Sequence, residues 1–286
     1  MSRILGIILI TAAAGVIGTG LGGLLGAVLR RDSSRVVSLL LSFAAGVMMS
    51  VVCFDLLPEA FHPEGCAEEM SIWLVTAGTV AGFGIVYLLN WIIDKNTNPE
   101  LPHVEQEEHP RTADDLDELI HSDHYYEHMS RSNDNRQLFM AGVVMAMAIA
   151  LHNMPEGMVI GASFAGSPAS LTGGSGLIIA TIIGLHNIPE GMAVSVPLIS
   201  GGMNKWKAIA ITALSGAPTI IGAILGYSLG LLSPVWLSLS LSFAGGAMLY
   251  VVFGELMPEA FLMLRSKAPA VLTLFGVLVG LFLVYV

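Results

Sequence analysis

Long apolar stretches, separated by short segments where polar residues gather, set the pattern of this chain. They recur eight times, roughly over 4–29, 36–60, 72–93, 138–163, 177–200, 208–231, 235–261 and 269–286. At ~1.5 Å of helical rise per residue, each can cross the ~30 Å hydrocarbon core of a bilayer. The pattern therefore predicts an all-α membrane protein with eight transmembrane helices. The many glycines and alanines inside the runs let helix backbones approach closely, which is how bundles pack where no hydrophobic drive acts between helices.

Composition agrees. The chain is 54% hydrophobic and only 12% charged, with a mean hydropathy of +0.75. A soluble multidomain protein is excluded, and the bilayer itself is the chain's largest partner. No nucleic-acid partner is expected.

Orientation follows from the basic residues. With the N-terminus outside, Arg30, Arg31, Arg35, Lys95, Arg111, Arg131, Arg136, Lys205, Lys207, Arg265 and Lys267 all fall in inner loops, and only Arg3 lies outside. A seven-span arrangement breaks this positive-inside pattern. Arg3, the apolar run from Ile4 and the small residues Ala12 to Ala14 also resemble a cleavable signal peptide. The run continues unbroken to Leu29, and the internal repeat needs this helix, so it is read as the first span. Cys53 and Cys66 form no disulfide framework.

Leu41 to Phe61 and Leu241 to Phe261 are identical at 13 of 21 positions at a fixed offset of 200. This duplication makes 1–93 and 207–286 copies of one three-helix unit. Three is odd and two helices lie between the copies, so the second copy is inverted relative to the first. The predicted architecture is thus 3+2+3 with inverted repeats, an arrangement typical of secondary transporters, whose sites lie near the midplane. Residues 94–137 differ from all the rest, carrying twelve acidic residues together with His103, His109, His121, His124 and His128. They read as a disordered cytoplasmic loop, either a solvated linker or a weak collector of metal ions.

The central pair, 138–206, carries the chemistry. Leu151 to Met158 reads LHNMPEGM and Leu185 to Met192 reads LHNIPEGM. A helix puts His152 and Glu156 on one face, and likewise His186 and Glu190. Packed together, the two helices would aim two imidazoles and two carboxylates at one spot. Pro155 and Pro189 each remove a backbone donor, which predicts a bend at the ligands. Asn153 and Asn187 sit three residues before the glutamates, suggesting two adjacent ion positions, one richer in nitrogen and one built from amide and carboxylate oxygens. Imidazole with carboxylate suits Zn(II), Fe(II), Mn(II) or Cd(II), and the lack of thiolates argues against Cu(I). Histidine–glutamate pairs could instead merely stiffen a bundle, but that explains two copies of one hexapeptide poorly. The spans hold Asp55, Glu59, Glu156, Glu190, Glu255 and Glu259 with no lysine or arginine away from their ends. An ionised carboxylate at mid-bilayer costs ~2.5–3.5 kcal/mol on insertion scales, so protons or an imported cation must neutralise these groups.

At these residues the chain resembles the ZIP (Zrt/Irt-like protein) family of divalent metal transporters, particularly its prokaryotic members. The resemblance covers nearly the whole chain, and the doubled H-N-x-P-E-G is its specific part. It implies uptake of Zn(II) and related ions into the cytoplasm across the plasma (inner) membrane, both termini outside. The ion is then transported substrate and no cofactor is expected; a homodimer is left open. The family's motifs fall on His152, Asn153, Glu156, His186, Asn187 and Glu190. Family members with two metal sites commonly carry a sixth-helix glutamate where this chain has Thr219, which cannot supply that ligand. The resemblance also points to Glu255 and Glu259 along the route near the inner end of the seventh helix. Inverted symmetry places Asp55 and Glu59 toward the outer face. Met145, Met147, Met154, Met158 and Met192 are read as packing residues. Two other functions deserve comparison. An intramembrane metal-dependent hydrolase lacks an H-E-x-x-H motif and gives the repeat no role, and a metal sensor predicts binding without flux.

Overall fold

The computed structural model describes residues 3–28, 34–63, 69–97, 135–166, 171 and 173–285. Among the described residues eight helices follow one another: α1 (Arg3–Val28), α2 (Arg35–Phe61), α3 (Ile72–Thr97), α4 (Asn135–Gly166), α5 (Ser175–Ser200), α6 (Lys205–Gly230), α7 (Pro234–Met263) and α8 (Ala268–Tyr285). No strand occurs among the described residues. All except α4 meet both the length and the apolarity of a membrane span over their described residues, and α4 packs in their midst. The protein is an all-α, multi-pass membrane protein. Of the acidic, histidine-bearing segment 94–137, expected as a loop throughout, residues 94–97 and 135–137 instead form the ends of α3 and α4, and 98–134 lie outside the described residues.

Helix pairing has a two-fold pattern. In one set α4 packs along α6 and α5 along α1; in the other, α2 packs along α8 and α7 along α3. Exchanging α1 with α6, α2 with α7, α3 with α8 and α4 with α5 converts each pair into its counterpart. Small residues make these seams. A Cβ on Gly157 would lie 1.9 Å from the Thr219 carbonyl oxygen, and one on Gly222 would lie 1.9 Å from that of Met154. With Gly161 and Gly226 one turn on, the α4–α6 contact is a small-xxx-small seam on both sides.

Burial separates centre from rim. Large side chains such as Trp73, Val80 and Phe83 on α3, and Val271, Leu274 and Phe282 on α8, point outward, as lipid-facing residues should. The interior cluster draws mainly on α2, α4, α5 and α7, including Met48, Ile160, Ile183 and Met248. Met158 and Met192 belong to it and Met145 packs against it, as packing residues would, whereas Met147 and Met154 are exposed.

The helices depart from regularity where the sequence is unusual. A π-helical segment recurs at matching positions of the duplication, Val52–Leu56 in α2 and Val252–Leu256 in α7, carrying Asp55 and Glu255. Such bulges realign side chains and concentrate at functional sites. A third lies in α1, Ala13–Ile17. The sixth apolar run, expected as one helix, is interrupted: Lys205–Ser215 ends at Gly216, and a second piece restarts at Pro218. Proline favours a first helical turn because its missing donor is not needed there. Conversely α4 and α5 remain helical throughout, with Pro155 and Pro189 inside them. The outright break therefore sits on a helix that flanks the motifs, not on those that carry them.

Candidate metal centre

Four- and three-residue spacings place His152, Asn153 and Glu156 on one side of α4, and His186, Asn187 and Glu190 on one side of α5. The close packing of the two helices brings the six together. All six are buried, none more than 4% exposed. Nε2 of His186 lies 3.0 Å from Oε1 of Glu156. Donor atoms of Glu156, His186 and Glu190 all fall within 4.8 Å of one another. A single ion with ~2.0–2.2 Å ligand bonds can bridge that spread after small side-chain adjustments.

A contact not anticipated in this form joins the site from α7. Oε2 of Glu255 lies 2.6 Å from Nε2 of His152. The pair is close but not aligned, since Nε2 makes no hydrogen bond. The π-helical segment turns Glu255 inward, so a residue expected along the route stands at the site itself. A π-bulge has no reliable signature in one sequence, and only the duplicated acidic position hinted at it. Its counterpart Asp55 is half-buried, with Oδ2 buried and unpartnered. Glu59 lies beside the end of α4, its Oε1 3.0 Å from where a Gly166 Cβ would stand, and Glu259 is buried. Neither joins the described cluster of donors.

The unsatisfied atoms define the chemistry. Both ring nitrogens of His152, Nδ1 of His186, Oε2 of Glu156, both carboxylate oxygens of Glu190 and Oε1 of Glu255 are buried without a hydrogen-bond partner. Buried polar atoms are normally paired, because an unmet one costs ~1–3 kcal/mol and a charged one more. Four of these seven atoms are carboxylate oxygens, and each neutral imidazole keeps one lone-pair nitrogen beside its N–H, so the set describes a cradle for a cation. Three carboxylates meet only two imidazoles and no lysine or arginine, so the charge balance also calls for one.

The two asparagines are tied differently. Nδ2 of Asn153 donates to the carbonyls of Ile149 (2.9 Å) and Ser215 (3.2 Å), while Nδ2 of Asn187 donates to Ala14 O (3.3 Å) and to Oδ1 of Asn153 (3.2 Å). Ser215 and Ala14 lie at the irregular stretches of α6 and α1, where helical donors run short. The Thr219 hydroxyl sits 2.9 Å from Asn153 Oδ1 and 2.8 Å from Gly216 O.

Comparison with known proteins agrees with this chemistry. The family model described as ZIP Zinc transporter matches residues 3–286. A zinc transporter ZupT of Clostridium perfringens is 32% identical, the alignment covering 98% of this chain and 94% of that protein. One from Campylobacter jejuni is 35% identical over 96% and 92%, and one from Akkermansia muciniphila 30% identical over 90% and 88%. With its whole length matched and its doubled motif folded into one buried donor cluster, the chain belongs to the ZIP zinc transporter family.

Proposed function

We propose that the protein carries Zn(II), and to a lesser degree Fe(II), Mn(II) or Cd(II), across the plasma membrane into the cytoplasm, binding the ion between α4 and α5. As a member of a transporter family it is not an enzyme. The observation that carries the reading is the set of buried, unpaired donor atoms on His152, Glu156, His186 and Glu190, in a bundle with no buried lysine or arginine among the described residues. A divalent cation would satisfy both the lone pairs and the charge. The similarity to proteins named as zinc transporters favours Zn(II) as cargo.

Movement follows from how the seams are built. The approaches closer than 3 Å between a glycine Cβ position and another helix's backbone fall within two sets, α1, α4, α5, α6 and α2, α3, α7, α8. Between the sets, as at Gly166 with Glu59 and Leu237, the glycine contacts are with side chains. Backbone seams resist sliding, whereas a side-chain interface can repack between two arrangements. The ion-binding set thus shifts as a body against the other, exposing the ion alternately to each side, with both termini outside and the 94–137 loop cytoplasmic. Glu255, on the opposite set, touches His152 in this arrangement and acts as a carboxylate toward which the ion can leave. Uptake into proteoliposomes tests the reading: His152→Ala or Glu190→Ala abolishes Zn(II) flux, and full flux in either would overturn it.

A further inference from the structure

We propose that Asn153 is a brace rather than a ligand, and that Thr219 and Asn187 hold it so, closing the amide side of the site and limiting the protein to one ion at a time. The inference rests on the transport reading above and deepens it. Motif spacing alone allows two adjacent positions that share the glutamates, one beside the imidazoles and one beside the amide oxygens. The second requires an amide oxygen with a lone pair to give.

Asn153 has none. An amide oxygen offers two lone pairs and an amide nitrogen two protons. Oδ1 accepts from Asn187 Nδ2 at 3.2 Å and from the Thr219 hydroxyl at 2.9 Å. Thr219 has a single hydroxyl proton, so its bond to Asn153 Oδ1 is one arm of a bifurcated contact whose other arm goes to Gly216 O. Nδ2 is spent on Ile149 O and Ser215 O. The side chain is fully buried, so water cannot replace what a swing toward an ion would break. One of those bonds also satisfies the carbonyl at the interruption of α6, so moving Asn153 would disturb α6 as well.

Pseudo-symmetry isolates the residue responsible. Asn153 bonds Ser215 O on α6 as Asn187 bonds Ala14 O on α1. Four residues further on stand Thr219 and Gly18. Glycine brings no hydroxyl, and Asn187 Oδ1 is buried without a partner, while Asn153 Oδ1 is doubly occupied. The two amides thus differ through one side chain. A second ion would find one amide oxygen from Asn187 and none from Asn153, beside two glutamates already drawn to the first.

The test counts ions. Purified full-length protein is saturated with Cd(II) alone, the ions are counted by elemental analysis after gel filtration, and crystals of the same complex are placed by anomalous scattering. One ion is expected, held by imidazole and carboxylate atoms, with Asn153 Oδ1 still in its hydrogen bonds. Thr219→Val removes the hydroxyl at nearly constant volume and raises the count to two. Thr219→Ser keeps the hydroxyl and the count of one. A second ion on Asn153 in the unaltered protein overturns the inference while leaving the transport reading intact, as does a folded Thr219→Val protein still holding one. Protein that binds no ion overturns the transport reading and this inference with it. Should Thr219→Val fail to fold, the map of the unaltered protein decides alone.

Discussion

His186 and Glu156 reach each other across the interface of α4 and α5, Nε2 to Oε1 at 3.0 Å, so neither motif keeps its histidine and glutamate to itself. The helical spacing that puts His186 beside Glu190 is used, yet the short contact is between helices. Each remaining donor atom, Oε2 of Glu156 and Nδ1 of His186, is buried and unpaired. An ion drawn into the cluster would displace the pair's contact and take both groups as ligands. Glu156→Gln keeps the shape and removes one charge. Zn(II) affinity should fall by at least ~10- to 100-fold, the loss that even groups behind the ligands cause, with uptake falling in step. Titration against a fluorescent chelator measures it, and unchanged affinity would mean that Glu156 only steadies His186.

Acid should weaken binding. Imidazole nitrogens and carboxylate oxygens must shed protons to ligate, so protons compete with the ion and binding releases them. The sign is fixed by the donor set: apparent affinity for Zn(II) declines steadily from pH 7.5 to 5.5. Calorimetry in buffers of different ionisation enthalpy should also register protons released per ion bound. Affinity that is flat with pH would remove the histidines from the ligand set.

The sequence disclosed the bundle because length and apolarity alone decide what can span a bilayer, and it marked the six motif residues, which the structure gathers and buries, because buried histidine and glutamate are too costly to be incidental. Neither argument reaches the irregular backbone. Asp55 and Glu255 lie on π-helical segments and Gly216 at a helix break. These features arise from how neighbouring helices supply alternative partners, a tertiary property. Pro155 and Pro189 look like stronger breakers, yet helix continues through both because dense packing holds them. The hydrogen bond between Asn153 and Thr219 was hidden for a similar reason, since two residues 66 positions apart on different helices give no sign in sequence of which lone pairs they fill.

Glu255 offers a test of the contact between the two helix sets. Its Oε2 stands 2.6 Å from His152 Nε2, and its Oε1 is buried without a partner. Glu255→Gln keeps the volume and one acceptor but withdraws the negative charge. If the residue helps the ion leave, maximal uptake rate should fall by about tenfold or more while the concentration for half-maximal uptake changes little, as expected where a later step is slowed. Loss of affinity with an unchanged maximal rate would instead make Glu255 a ground-state ligand.

The α4–α6 seam can be challenged without touching a donor atom. Gly157 follows Glu156 directly, and a methyl group there would lie 1.9 Å from Thr219 O and 2.7 Å from its carbonyl carbon, both backbone atoms that cannot rotate away. The helices would have to part at the level of the site. Overpacking of this kind costs ~1–3 kcal/mol or more, and here the strain would also drag Thr219 from Asn153. Gly157→Ala should therefore lower thermal stability in detergent and reduce uptake together. Gly84→Ala, with nothing within 4 Å of the added carbon, should leave both unchanged or slightly raise stability by favouring helix. Equal stability of the two variants would show that α4 and α6 are not locked at this seam, and the rigid-body reading of the ion-binding set would lose its structural ground.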